Sequence, residues 1–253
     1  MVFQPFKNRE NIEWTNTWIE SCNNPDTRRF LFIGDSVARE MRSELSKMLP
    51  QYAYDYIGTS SSFEDPCFYN IFDAFFKNNL YTYQTIFCNI GAKHFWYMHT
   101  ARKKQDAQRY TKEFSMFLNY LQQYCKKIVI LSVTPNKYSS DFTKWDEDVN
   151  KEILKRNEIQ ADIAAKESIP VVDLYSLVME KQYAYRDHCH FKDRSATQEI
   201  VAFSLKNHPD FTDLLPALPC VGQNIQAPLS EKNNSVRKYK IFSFLPLFSI
   251  EEE

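Results

Sequence analysis

Glycine is scarce in this chain: four in 253 residues, at Gly34, Gly58, Gly91 and Gly222. With so few, each marks a place where backbone must turn sharply or approach something closely. Charge of one sign is lacking too. Lys and Arg number 31 against 32 Asp and Glu, a net charge of −1. That near-balance excludes a global attraction to nucleic acid, which would need a local basic patch. The six cysteines (Cys22, Cys67, Cys88, Cys125, Cys189, Cys220) have no short paired spacing, so no zinc or haem pattern is present and no metal is expected. Cys88 and Cys125 fall in or beside apolar runs, where a free thiol behaves as a small hydrophobe. No apolar run reaches the roughly 18 residues of a membrane span. The opening residues 1–10 lack the apolar core of a signal peptide. The expected setting is a reducing cytoplasm. There is no internal repeat and no low-complexity tract.

What is present centres on residues 30–39, Phe30-Leu31-Phe32-Ile33-Gly34-Asp35-Ser36-Val37-Ala38-Arg39. An unbroken apolar run bounded by turn residues reads as a strand buried on both faces. Met41, Leu45, Met48 and Leu49 then recur at helical spacing up to Pro50. Gly34 supplies a sharp turn, and Asp35 or Ser36 caps the helix. A serine at the carboxyl end of a buried strand and the amino end of a helix sits where amide groups favour negative charge. Those are the surroundings of a nucleophile whose reaction builds an oxyanion beside it. Any strand-to-helix turn can carry a capping serine, so this stretch needs a partner elsewhere.

The partner stretch is Tyr185-Arg186-Asp187-His188-Cys189-His190-Phe191. Asp187 and His190 are three apart, so on a turn the carboxylate can orient the imidazole while the imidazole reaches a serine. Between the two stretches, strand-like and helix-like segments alternate. Strands are expected at Tyr52–Ile57, Thr85–Ile90, Ile128–Val133 and Pro170–Leu174. Helices are expected at 68–76, over Asp106–Tyr124, over Lys144–Lys166 and from Ser195 to Asn207. The alternation predicts an α/β fold, a three-layer α/β/α sandwich with a five-stranded parallel sheet. Sites in such sheets lie at the carboxyl ends of strands, where both stretches fall. Residues 1–27 are expected to form a helical cover with Trp14 and Trp18 on one face, residues 28–207 the main domain, and residues 208–253 an extension.

With nucleophile first and acid and base together near the end, the chain resembles the SGNH (GDSL-type) hydrolases over roughly residues 28–207. That resemblance implies a flavodoxin-like fold. Gly-Asp-Ser-x-x-Arg, with Ser36 and Arg39, resembles the PC-esterase branch, which acts on acyl esters of glycans. The resemblance implies Ser36, Asp187 and His190 as catalytic residues, and Gly58 and Asn89 as oxyanion donors. Arg39 is the alternative second donor, because its guanidinium lies one turn after Ser36. The stretch from Asn89 to Trp96 departs from the usual Gly-x-Asn-Asp pattern. It is closer to the Asn-x-Gly and His-Trp of PC-esterases with two residues inserted, which adds Gly91 and His94 to the substrate side. His94 competes with His190 as base, and Asp187 decides for His190. Asp35 is expected to tie down the turn, and Asp173 and Asn157 to be structural.

The tail carries basic residues and then an apolar aromatic run over 236–250. It resembles the tails of bacterial enzymes that build surface polysaccharides, which implies docking at the inner face of the plasma membrane or on a glycosyltransferase. An edge strand, or a flap completing the core, is the other reading. The expected activity is that of a serine-dependent carbohydrate O-acyl esterase or O-acyltransferase acting on a glycan or acylated sugar. It needs no cofactor, with acetyl-CoA the donor in the transferase case. Two rivals stand beside it: a silent scaffold of the same fold, and a cysteine- or metal-dependent hydrolase built on Cys189.

Overall fold

The computed structural model describes residues 14–61, 67–78, 81–90, 107–138 and 141–206. Gly91, His94, the tail over 236–250 and residues 1–13 of the expected N-terminal cover lie outside the described residues. The described strands are β1 (Thr15–Trp18), β2 (Arg29–Gly34), β3 (Ala53–Thr59), β4 (Thr85–Asn89), β5 (Ile128–Leu131), β6 (Lys137–Tyr138), β7 (Lys144–Trp145) and β8 (Val171–Val172). The helices are α1 (Ser36–Met48), α2 (Phe68–Asn78), α3 (Ala107–Leu121), α4 (Glu147–Lys166), α5 (Leu174–Lys181) and α6 (Arg194–Lys206).

Six strands form one sheet in the order β1-β3-β2-β4-β5-β8. The five from β2 to β8 pair in parallel, and taken alone they follow the flavodoxin-like order 2-1-3-4-5. The apolar runs look continuous in the sequence, but the two-residue period of a strand divides them between the faces. Phe30, Phe32, Tyr54, Tyr56, Phe87, Val129 and Leu131 pack on one side with α1, α5 and α6. Leu31, Ile33, Ile57, Ile86, Cys88, Ile128 and Ile130 pack on the other with α2 and α3. Three layers result. Phe32 and Phe87 stack with ring centroids 4.9 Å apart across adjacent strands, a contact worth roughly 0.5–1.5 kcal/mol beyond its buried area.

Three expectations need correction. Residues 15–18 are a strand, not part of a helix. Thr15, Thr17 and Trp18 favour extended backbone, and β3 offers an open edge that β1 fills in antiparallel register, Asn16 opposite Gly58. The fifth parallel strand is only two residues long, because Asp173 caps α5 by accepting the Ser176 amide. Finally, α4 starts at Glu147 instead of Lys144. Lys144 and Trp145 pair with β6, and Asp146 caps the helix.

Candidate active site

β2 ends at Gly34, where a Cβ would lie 2.3 Å from the Asn89 carbonyl oxygen and 2.8 Å from the Ala38 Cβ. Only glycine fits a strand pressed this closely against its neighbour and the coming helix. Asp35 then caps α1: its Oδ1 accepts the Val37 amide at 2.9 Å. Ser36 is the first helical residue. In the first turn of a helix no carbonyl four residues back accepts the amide, so the Ser36 N–H faces outward with the positive end of the dipole. The turn lies between β2 and β4, beside the point where the strand order reverses.

The stretch around Asp187 folds back on itself. Tyr185 and Phe191 form an antiparallel bridge, and the Arg186 amide donates to the His190 carbonyl at 3.0 Å. The segment after β5 straps this loop in place. Tyr185 Oη donates to the Pro135 carbonyl at 2.6 Å, and the Lys137 amide donates to the His188 carbonyl at 2.9 Å. Lys137 Nζ donates to the Tyr183 carbonyl at 3.0 Å and lies over the rings of Trp145 and Tyr185. His188 turns away from the serine, with Nδ1 at 3.0 Å from the Lys137 carbonyl and its ring edge-on to Phe142. Two ion pairs tie the loop and α6 to the helix that carries Ser36: Arg186 with Glu40, and Arg194 with Glu44. Gln198 Nε2 and Lys47 Nζ also donate to Glu44, which is buried.

Held from both sides, the loop lays His190 Nε2 2.5 Å from Ser36 Oγ. On the other edge of the ring, His190 Nδ1 lies 2.7 and 2.8 Å from the two carboxylate oxygens of Asp187. Asp187 Oδ1 also accepts the Cys189 and His190 amides at 3.0 and 2.9 Å. Partial burial pushes the Asp187 carboxyl up, but the two amides and the imidazole outweigh it and hold it below the usual carboxylate range. An ionised Asp187 fixes the proton on Nδ1 and leaves the Nε2 lone pair for the serine hydroxyl. The His190 side chain is 18% exposed and that of Asp187 41%.

No family model matches the sequence, and no curated protein matches it. Solved structures do match. The acetyl xylan esterase AlAXEase superimposes with a TM-score of 0.53 at 15% identity, covering 70% of this chain and 98% of that one. The acetylxylan esterase Axe2 of Geobacillus stearothermophilus gives 0.51 at 12% identity, covering 71% and 93%. A GDSL-like lipase of Parabacteroides merdae gives 0.54 at 12% identity, covering 72% and 95%. The chain shares the three-layer α/β fold of these structures. Solved forms of the Geobacillus esterase include catalytic mutants at an aspartate and at a histidine three residues beyond it.

Within this fold the remaining expected site residues part company with Ser36, His190 and Asp187. Asn89 Nδ2 donates to the carbonyls of Leu131 and Ser132 at 3.0 and 3.2 Å. Both of its N–H groups bind β4 to the exit of β5, so the expected oxyanion donor is a strand tie. Gly58 is not in an exit loop but inside β3. The Ser60 amide donates to the Trp14 carbonyl at 2.9 Å, and the alternation of an antiparallel pair directs the Gly58 amide the same way, toward β1. A Cβ on Gly58 would meet Tyr56 Oη at 2.0 Å and the Gly34 carbonyl oxygen at 2.3 Å. It is therefore a space-maker beside the nucleophile turn. Arg39 is exposed, one turn beyond Ser36, and makes no ion pair among the described residues. Glu40 and Glu44, the glutamates that follow it on α1, are bound to Arg186 and Arg194 instead.

Cys189, on which the cysteine- or metal-dependent rival is built, has its Sγ 3.6 Å from His190 Nδ1. With Asp187 these are the metal-capable donor atoms that cluster within 4.8 Å among the described residues. Burial, followed by the charges of Asp35 and Asp187, pushes the thiol far up, so it stays protonated and weakly nucleophilic. Three contributors do not stand out in the sequence: Tyr56, Lys137 and the Glu44–Arg194 pair. Lys137 reads as one lysine among many. A tyrosine two residues before a scarce glycine in a strand, sharing its face, was the one available signal for Tyr56.

Proposed function

We propose that this chain is a serine-dependent carbohydrate O-acyl esterase, most simply an O-acetyl esterase. The observation that carries the reading is the continuous chain from Ser36 Oγ through His190 to Asp187, at 2.5 and 2.7 Å. His190 Nε2 takes the Ser36 proton as Oγ attacks the ester carbonyl. The tetrahedral oxyanion is held by the Ser36 amide, with Arg39 within reach as a charged second donor. As the tetrahedral intermediate collapses and its bond to the sugar oxygen breaks, Nε2 gives the proton to that oxygen, which leaves as a hydroxyl, and an acyl-serine remains. Water activated by the same nitrogen releases the acid and restores the serine. A sugar hydroxyl in place of water would make the same site an acyltransferase.

Two further findings support the reading, the first for the substrate and the second for the acid–base pair. The solved relatives include two acetyl xylan esterases. The spacing of the catalytic mutants in one of them, aspartate and then histidine three residues on, is also that of Asp187 and His190. The test is acetate release from acetylated xylo-oligosaccharides, beside p-nitrophenyl acetate, by the unchanged chain and by Ser36→Ala. Release by the first and none by the second is expected. A folded chain that cleaves neither ester would overturn the reading and leave a scaffold of hydrolase fold.

A further inference from the structure

The mechanism places an oxyanion against the Ser36 amide, so the orientation of one peptide unit, Asp35–Ser36, matters most. Its N–H is the donor, and its C=O points the opposite way. That carbonyl accepts two hydrogen bonds: from the Arg39 amide at 3.2 Å, and from Tyr56 Oη at 3.0 Å. The same hydroxyl lies 3.3 Å from the Gly34 carbonyl, one peptide earlier. Tyr56 comes from the neighbouring strand β3 and is completely buried. Its ring reaches the turn only by lying across Gly58, whose missing side chain leaves the hydroxyl its place: a Cβ there would be 2.0 Å from Oη.

We infer that Tyr56 is a positioning residue of the reaction, whose hydroxyl holds and polarises the Asp35–Ser36 peptide so that the Ser36 amide is set to receive the oxyanion. This rests on the serine reading above and adds a part to it. A hydrogen bond to a peptide carbonyl shifts electron density toward the oxygen and makes the N–H of the same unit a stronger donor. The bond also fixes the plane, so the amide needs no reorganisation as charge develops on the substrate oxygen. Burial, together with the nearby Asp35 charge, pushes the Tyr56 phenol well above its usual range. The hydroxyl therefore remains a donor throughout the working pH range. Gly58 gains a role of its own: it admits the tyrosine that serves the oxyanion amide.

Tyr56→Phe removes one oxygen atom and keeps the ring. Removing an oxyanion donor outright costs roughly 10²–10³-fold in kcat, and loosening its support should cost less, about 10- to 30-fold. The expected result for Tyr56→Phe is a fall of that size in kcat for p-nitrophenyl acetate and in the second-order rate of Ser36 labelling by a fluorophosphonate. KM should be nearly unchanged, and the loss should be uniform across pH. A tyrosine that only fills the core would lower Tm while leaving the rates of the folded protein at those of the unchanged chain, and that outcome overturns the inference. An unchanged chain that is not labelled at Ser36 overturns the serine reading and this one together. Labelling of both proteins at equal rates overturns this one alone.

Discussion

The two ends of β2 carry similar residue types to opposite effect. At its amino end Arg29 and Asp55 are paired at 3.1 Å with essentially no exposure. Arg29 also donates to the carbonyls of Glu20 and Ser21 and lies over the Tyr81 ring. Asp55 accepts from the Glu20 amide and from Tyr83 Oη, and Glu20 in turn accepts from Arg42, Ser46 and the Tyr54 amide. Burial pushes the Asp55 carboxyl up even against these donors. At the carboxyl end Asp187 has as many donors, two amides of its own loop and one imidazole, but it is partly exposed and stays below its usual range. The first carboxylate is saturated and locked, and it fastens an edge strand. The second has one imidazole to orient, and that imidazole has one hydroxyl to serve. Buried charge builds structure where every lone pair has a donor, and chemistry becomes available where the chain of partners ends on a reactive atom.

That contrast can be broken from either end. Asp187→Asn should cost the most activity, roughly 10⁴-fold in kcat through loss of the productive imidazole tautomer, with Tm little changed; steady-state kinetics and a thermal melt check it. Asp55→Ala should do the reverse. Stripping one partner from a buried pair costs roughly 3–5 kcal/mol of stability, read by urea unfolding, while the rate per folded molecule stays level. A smaller effect is expected at the hinge between these regions. Glu44→Gln leaves its amide on Arg194 and Gln198 but removes the charge, for a loss of about 1–3 kcal/mol.

The pH dependence of that loss has a definite sign. Burial pushes Glu44 up, but Arg194, Lys47 and Gln198 outweigh it and hold it below its ordinary value. Its contribution is therefore complete above the ordinary carboxylate range and disappears as pH falls through the lowered folded value. Unfolding curves of Glu44→Gln and the unchanged chain should converge in acid and separate toward neutrality.

Much of this was legible in the sequence, for physical reasons. Phe30 to Ile33 and Ile128 to Leu131 are strands too apolar to lie anywhere but the middle of the sheet. Gly34-Asp35-Ser36 could only be a turn into a helix. Asp187 and His190 announced themselves by spacing. What the sequence hid depended on partners distant in the chain. Residues 15–18 are polar enough for a surface helix, and the open edge of β3 makes them a strand. Asn89 has the chemistry of an oxyanion donor, but two carbonyls of the next strand take both of its protons. Gly58 was marked as a close approach, and what approaches it is Tyr56, whose one trace in the sequence is its place two residues before that glycine.

The most direct measurement is intact-protein mass spectrometry after incubation with a fluorophosphonate, for the unchanged chain, Ser36→Ala and His190→Ala. One adduct on the unchanged chain, mapped by peptide analysis to Ser36 and absent from both variants, is the expected result. A folded chain that takes up no probe, or one that carries it elsewhere, would contradict an activated serine at the carboxyl end of β2.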